Sequence, residues 1–193
     1  MNLTSRQIEI IDASKDLIGE KGVQTLTIKN LANKMSFSEP ALYRHFKDKT
    51  EIIKALLVFH KDIIQSGVLN ILNSKKNALK KFEAILKFKF AHIEKNPALV
   101  MVIFSETSFQ YNSVLSKVVR KILEQRTKKI ITLIEIGQQE GSIRKDIDAV
   151  QLATIVLGCI RTTILSWKLA GFKTDLKADG EKIWETLKIL LKD

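Results

Sequence analysis

The chain has 193 residues, 45% of them hydrophobic and 27% charged, with two prolines, eight glycines and one cysteine. That apolar content excludes a disordered tail, and so few prolines and glycines favour long helices over a succession of tight β-turns. The formal net charge of +11 points to a polyanionic partner, but residues 1–50 carry only +2 of it, with +5 in 51–96 and +4 in 97–193. Much of the excess therefore reads as a lysine-rich solvated surface.

The first predicted helix covers residues 4–21. Leu3, Thr4, Gln7 and Ile8 fit a capping box with its hydrophobic staple. Ile8, Ile11, Leu17 and Ile18 form an apolar stripe, and Gly22 sits where a helix ends. Residues 23–26 are a connector. Thr27 can cap a second helix with Leu31 and Ala32 inward, and residues 34–37 are a short connection. Ser38 can cap a third helix with Pro40 in its first turn. Leu42 and Phe46, four apart, share its inner face, while Pro40, Tyr43, Arg44 and Lys47 point out. A short helix with one side buried and a Tyr/Arg/Lys side exposed suits a DNA groove.

Asp48 and Glu51 open a fourth helix that runs to about residue 73 through Ile52, Ile53, Leu56, Leu57, Phe59, Ile63 and Ile64. It leaves the N-terminal unit without a break. The domain boundary is therefore placed inside it or near its start, with residues 1–50 as the DNA-binding domain and 51–193 as a second helical domain. After a polar break at 74–77, Leu79, Phe82, Leu86, Phe90 and Ile93 mark a fifth helix. Asn96 and Pro97 start a short apolar sixth over 97–105. Residues 109–112 read as a loop. The seventh, 113–139, turns Leu115, Val118, Ile122, Ile130, Leu133 and Ile134 inward and ends at Gly141. Asp148 and Gln151 open an eighth, rich in Ile, Val and Leu to residue 169 and closed by Gly171. A ninth spans about 178–191. No stretch alternates with period two, so the class is all-α with about nine helices.

Catalytic signals are missing. His60 and His92 have no ligand partner at metal-binding spacing, and neither a phosphate-cradling glycine loop nor a GxSxG elbow occurs. Cys159 lies mid-helix in apolar company, which keeps a thiol inert, and alone it cannot form an internal disulfide. No enzyme, metal or cofactor is expected. No apolar run approaches the roughly 18 residues of a membrane span, and the N-terminus lacks a leader pattern. A cytoplasmic location without a membrane partner follows as the expectation.

Gly22, Thr25, Thr27, Ala32, Ser38, Leu42, Tyr43, His45, Phe46 and Lys49 together resemble the DNA-binding unit of TetR-type (TetR/AcrR family) bacterial helix-turn-helix regulators. The match covers about the first 50 residues closely; the remainder agrees in the number and order of helices. One departure stands in the turn. The family usually carries glycine where this chain has Ser36, so Ser36 either takes a positive φ or the turn differs.

The resemblance implies a DNA-contacting set. Tyr43 and His45 match phosphate and groove contacts. Lys49 matches a phosphate contact, Arg44 can reach a guanine edge or a phosphate, and Thr27 can bind phosphate as well as cap its helix. Glu39 either accepts from a cytosine amino group or stabilises the helix N-terminus, the second being the plainer role. Ser36, Phe37, Ser38, Pro40 and Ala41 complete the set.

It also implies a cavity for a small apolar or aromatic effector among helices four to eight. Phe59, Phe82, Leu86, Phe90, Met101, Phe104, Phe109, Ile122 and Trp167 are candidates for its wall, with ordinary core packing the alternative for each. Cys159, Thr163, Gln110 and Tyr111 are its nearest polar candidates. A homodimer through helices eight and nine is implied, with Ile155, Cys159, Thr162, Leu165, Trp184, Leu187 and Leu191 as its surface. Two recognition helices about 34 Å apart would then read a near-palindromic operator. The expected function is a dimeric repressor released by its ligand. The alternatives are a DNA-binding protein of this fold governed by protein partners and, remotely, an all-α enzyme.

Overall fold

Side-chain caps start most of the helices. In the computed structural model, which describes residues 3–104 and 112–192, the Thr4 hydroxyl accepts from the Gln7 N–H at 3.2 Å and the Gln7 side chain accepts from the Thr4 N–H at 3.1 Å. This box opens α1 (Ser5–Lys21), and Gly22 ends it at φ 86°. A 3₁₀ turn (Val23–Thr25) leads to α2 (Ile28–Met35), α3 (Glu39–Tyr43), α4 (Lys49–Leu72), α5 (Ala78–Glu94), α6 (Pro97–Ile103), α7 (Ser113–Gln139), α8 (Ala149–Leu169) and α9 (Leu176–Leu191). The described residues thus hold nine helices and no strand.

Two compact units are formed. The first comprises Met1–Ile63 and Asn96–Lys121. Ile10, Ile11, Ile18, Leu31, Leu42, Phe46, Ile52 and Leu56 make its core. Ile8, expected on the inner stripe of α1, is only half-buried, and Ile10 takes the core position. Gly19 of α1 faces Ala98 of α6 so closely that a Cβ there would lie 2.8 Å from the Ala98 Cβ. Asn96 stands at the α6 start but makes no capping bond to it, contrary to expectation; Pro97 in the first turn has no N–H that needs one. Asn112 accepts from the N–H groups of Val114 and Leu115, both at 3.1 Å, at the start of α7.

The turn between α2 and α3 resolves the question of Ser36. It is left-handed, φ 55° and ψ 40°, and its N–H donates to Asn33 O at 3.2 Å. The next N–H, of Phe37, reaches back to Ala32 O at 2.9 Å. Both bonds satisfy carbonyls that the end of α2 leaves open. A serine therefore occupies a conformation natural to glycine. The third helix is shorter than its pattern suggests: regular helix stops at Tyr43. The His45 and Phe46 N–H groups then both bond to Leu42 O, at 2.9 and 3.1 Å, and this tight turn carries Phe46 into the core.

The second unit comprises Ile64–Lys95 and Ile122–Asp193. α5 and α9 pack closely, with Phe82 stacked on Trp184 (centroids 6.4 Å) and Gly180 seated against the Phe90 ring. Gly67 in the last part of α4 faces the Phe88 ring of α5. The Glu140 carboxylate accepts from Ser142 Oγ at 2.6 Å and from the Ala78 N–H; these bonds hold its carboxyl below its usual range. At the end of α8, Trp167 Nε1 donates to Thr174 O at 2.9 Å while its ring meets the edge of Phe172.

Two expectations need correction. Trp184, Leu187 and Leu191, read as dimer surface, are 2%, 1% and 0% exposed and belong to this unit's own core. The 21-residue α8 is, by length and composition, apolar enough to cross a membrane, so the statement that no segment approaches that length fails. Its apolarity has another source. One face is buried through Leu152, Val156, Ile160, Ile164 and Trp167, while Val150, Ile155 and Leu169 on other faces are exposed.

Two substitutions test these packing arguments. Gly180→Val must push a β-branched side chain into the Phe90 ring, whose atoms stand 2.8–3.2 Å from an added Cβ. Chemical denaturation should show a loss of about 1–3 kcal/mol. Ser36→Gly relieves the left-handed conformation and should raise stability by about 0.5–1 kcal/mol. A fall in stability on that change would mean that the serine side chain does more than tolerate the turn.

Candidate nucleic-acid interface

α3 is short and presents a compact exposed surface. Its start is fixed by Ser38, whose hydroxyl accepts from the Ala41 N–H at 3.3 Å, with Pro40 in the first turn. Leu42 is buried beneath it at 1% exposure, and Tyr43 stands 52% exposed on the other side. Glu39, Pro40, Arg44 and Lys47 are exposed around Tyr43, and Ala41 and His45 are half-buried. Glu39 lies in the first turn, where a carboxylate stabilises the helix N-terminus.

The flanking elements complete the surface. The Thr27 hydroxyl accepts from the Asn30 N–H at 3.0 Å, which caps α2 and leaves its own O–H free to donate. Phe37 is half-buried beneath the Arg6 guanidinium, 5.1 Å from its ring centroid. Gln7 Nε2 donates to His45 O at 3.1 Å and ties α1 to the end of the reading segment. Arg6 was not singled out in the sequence. Gln7 was legible only as part of a capping box, and nothing in the spacing marked Arg6.

The cations differ in availability. Lys34 bonds Glu20 of α1 at 2.7 Å, which raises its pKa and commits it to the protein. Lys49 is half-buried with Nζ 3.4 Å from Val23 O, and desolvation lowers its pKa. Arg44 and Lys47 are both exposed. At the start of α4 the Lys47 N–H donates to Glu51 Oε2 at 2.6 Å and the Glu51 N–H to Asp48 Oδ1 at 2.8 Å, so the backbone that carries Lys47 is held.

The candidate effector residues divide between the units. Phe82, Leu86, Phe90 and Trp167 are core residues of the second unit, each at most 3% exposed. Ile122, Cys159 and Thr163 are half-buried there, and Thr163 Oγ1 donates to Cys159 O at 2.9 Å. Phe59, Met101 and Phe104 are half-buried in the first unit. Phe109, Gln110 and Tyr111 lie outside the described residues. A groove along α7 is lined by Leu123, Thr127, Lys128 and Ile131, none of which the sequence had suggested.

Comparison with known proteins agrees with this geometry. Residues 10–56 match the model of bacterial regulatory proteins of the tetR family, and residues 62–190 match that of the YsiA-like protein C-terminal region. Nucleoid occlusion factor SlmA of Aliivibrio fischeri is 26% identical over 184 residues, 95% of this chain and 94% of that protein. Among solved structures, the fatty acid degradation regulator FadR from Bacillus halodurans superposes with a TM-score of 0.87 at 16% identity, covering 97% of each chain. FadR from Bacillus subtilis in complex with stearoyl-CoA gives 0.80 at 23% identity, covering 93% of this chain and 96% of that one. With a helix-turn-helix head and a helical C-terminal region both matched, the chain belongs to the TetR family of bacterial regulatory proteins and is a DNA-binding transcriptional regulator.

Proposed function

We propose that this regulator is a homodimeric repressor that leaves a near-palindromic operator when an apolar ligand occupies its C-terminal domain. The observation that carries the DNA part is the exposed Tyr43–Arg44–Lys47 surface on a helix whose opposite side, Leu42, is buried. In this reading residues 1–50 contact DNA and residues 51–193 bind the effector and the second subunit. Arg44 reads a base edge or a phosphate, and Tyr43, His45 and the Thr27 hydroxyl take phosphates. Lys47 joins them as a phosphate contact. Lys49 reaches DNA only after leaving Val23 O. Ser36, Phe37, Ser38, Pro40 and Ala41 shape the surface that enters the groove, and the location in this reading is the cytoplasm.

Support for the dimer comes from α8. Val150, Ile155 and Leu169 are 48%, 43% and 77% exposed, and an added Cβ at Gly158 would meet nothing within 4 Å. An apolar helix open on one side is suited to a symmetric bundle with its copy. On α9, Ile189 is 78% exposed, whereas Trp184 and Leu187 are buried. The ligand reading is supported by the FadR fold, one solved example of which holds stearoyl-CoA. Release works by population shift: the ligand favours an α4 setting in which the two reading heads no longer match successive grooves.

A second reading, control by a protein partner without a small ligand, is favoured by one observation. The SlmA relatives, named for nucleoid occlusion, align over the C-terminal region as well as the head. Titration of operator-bound protein with long-chain acyl compounds separates the two. Undiminished operator affinity at saturating ligand would favour the partner reading.

Operator binding by fluorescence anisotropy tests the contact surface. Arg44→Ala should cost about 1–3 kcal/mol on the operator and relax preference at one base pair or weaken binding uniformly, according to its target. Lys47→Ala should weaken all sequences alike and lower the salt slope by about 1. Wild-type affinity in both variants would remove α3 from the interface.

A further inference from the structure

The first turn of α1 touches the reading segment at both of its ends. Gln7 Nε2 donates to His45 O at 3.1 Å, just beyond α3. The Arg6 guanidinium lies 5.1 Å above the ring of Phe37, the residue that precedes the Ser38 cap. The shelf under Arg6 is itself held. The Phe37 N–H donates to Ala32 O at 2.9 Å in the turn that left-handed Ser36 makes, and the ring is half-buried. Arg6 is exposed, yet the ring beneath it narrows where its head can stand.

Packing alone accounts for part of this arrangement, since an arginine covers apolar surface with its stem and the flat of its head. A guanidinium stacked on a ring still offers the N–H groups around its edge to acceptors. Among the described residues its hydrogen-bond acceptor is Glu9, one turn along α1, reached through Nη1. Both side chains of that pair are open to water, at 49% and 53% exposure, and ion pairs so placed are weak. Asp12 and Glu20 of α1 are paired elsewhere, with Lys15 at 3.1 Å and Lys34 at 2.7 Å. Arg6 is thus a positioned cation whose partner is readily exchanged.

Size decides what such a cation would meet. An α-helix with its side chains is about 10–12 Å across, and the major groove is about 12 Å wide. With α3 in the groove, a group beside its start faces the phosphates of the groove wall and not the base edges. We propose that Arg6 is a phosphate contact of the reading head, stacked on Phe37 and exchanging Glu9 for a phosphate oxygen when DNA binds. This rests on the reading of α3 as the DNA-contacting surface and adds to it a residue from outside the helix-turn-helix. Off DNA, Glu9 neutralises Arg6, so the contact carries a built-in competitor.

The test measures binding of operator and of an unrelated duplex by the full-length protein across a salt series. Arg6→Gln should weaken both duplexes alike, roughly 3–10-fold, and lower the salt slope by about 1. Arg6→Lys keeps the charge and should keep the slope, while losing affinity with the planar fork. Glu9→Gln removes the competing carboxylate and should tighten both complexes, and that gain should shrink in the Arg6→Gln background. An unchanged slope in Arg6→Gln, or an equal gain from Glu9→Gln with and without Arg6, would overturn the proposal. A loss confined to the operator would overturn it too, because Arg6 would then act only by setting α3 through Phe37. Arg44→Ala and Lys47→Ala, measured alongside, separate this contact from the reading it rests on. Weakened binding in those two with an unaffected Arg6→Gln defeats the Arg6 contact alone, whereas wild-type binding in all three defeats the α3 reading with it.

Discussion

The reading head depends on the burial of Leu42 and Phe46. α3 has five residues, far below the length at which a helix is stable alone in water. Its geometry is therefore set by what holds it. Leu42 and Phe46 are 1% and 2% exposed, and burying each contributes about 1.5–3 kcal/mol. The Ser38 cap and the Gln7–His45 bond each add about 1 kcal/mol or less. The exposed Lys34–Glu20 pair adds little. Apolar anchoring thus decides where Tyr43 and Arg44 stand, and the polar contacts adjust their orientation. A change in the core under α3 displaces its exposed surface as directly as a substitution on that surface alters it.

The charge of this chain would mislead if read as a total. Of the net +11, the first 50 residues supply only +2. The structure narrows the DNA-facing share further, because Lys34 is committed to Glu20 and Lys49 is turned toward a carbonyl. Arg44 and Lys47 are exposed cations beside Tyr43. Directed contacts fix register, whereas a diffuse positive surface raises affinity for any duplex.

Helix boundaries were legible wherever a local signal sets them. Thr4 with Gln7, Thr27, Ser38 and Asp148 all cap as their positions suggest, and Gly22, Gly141 and Gly171 all take positive φ. The shortness of α3 was not legible, since Leu42 and Phe46 are spaced for a continuing helix and only the surrounding core diverts the chain after Tyr43. Periodicity also identifies an apolar face without saying what covers it. That is why Trp184, Leu187 and Leu191 read as dimer surface when they fill the core of their own unit. Of the candidate site, the exposed Tyr43 and Arg44 followed from helix phase. The commitment of Lys34 and Lys49 did not, because their partners, Glu20 and Val23, belong to other segments.

α4 connects these observations mechanically. It is one helix from Lys49 to Leu72, beginning in the first unit and ending in the second. Within that second unit its Gly67 lies against Phe88, and an added Cβ would be 2.2 Å from the ring's Cζ. So close a contact leaves α5 no slack to move without taking the end of α4 with it. The Phe88 ring lies near His92, with centroids 6.2 Å apart. The helix has no proline, but Ser66 and Gly67 stand side by side in it, the kind of pair at which helices kink. The packing at Gly67 therefore constrains the part of α4 that lies in the second unit.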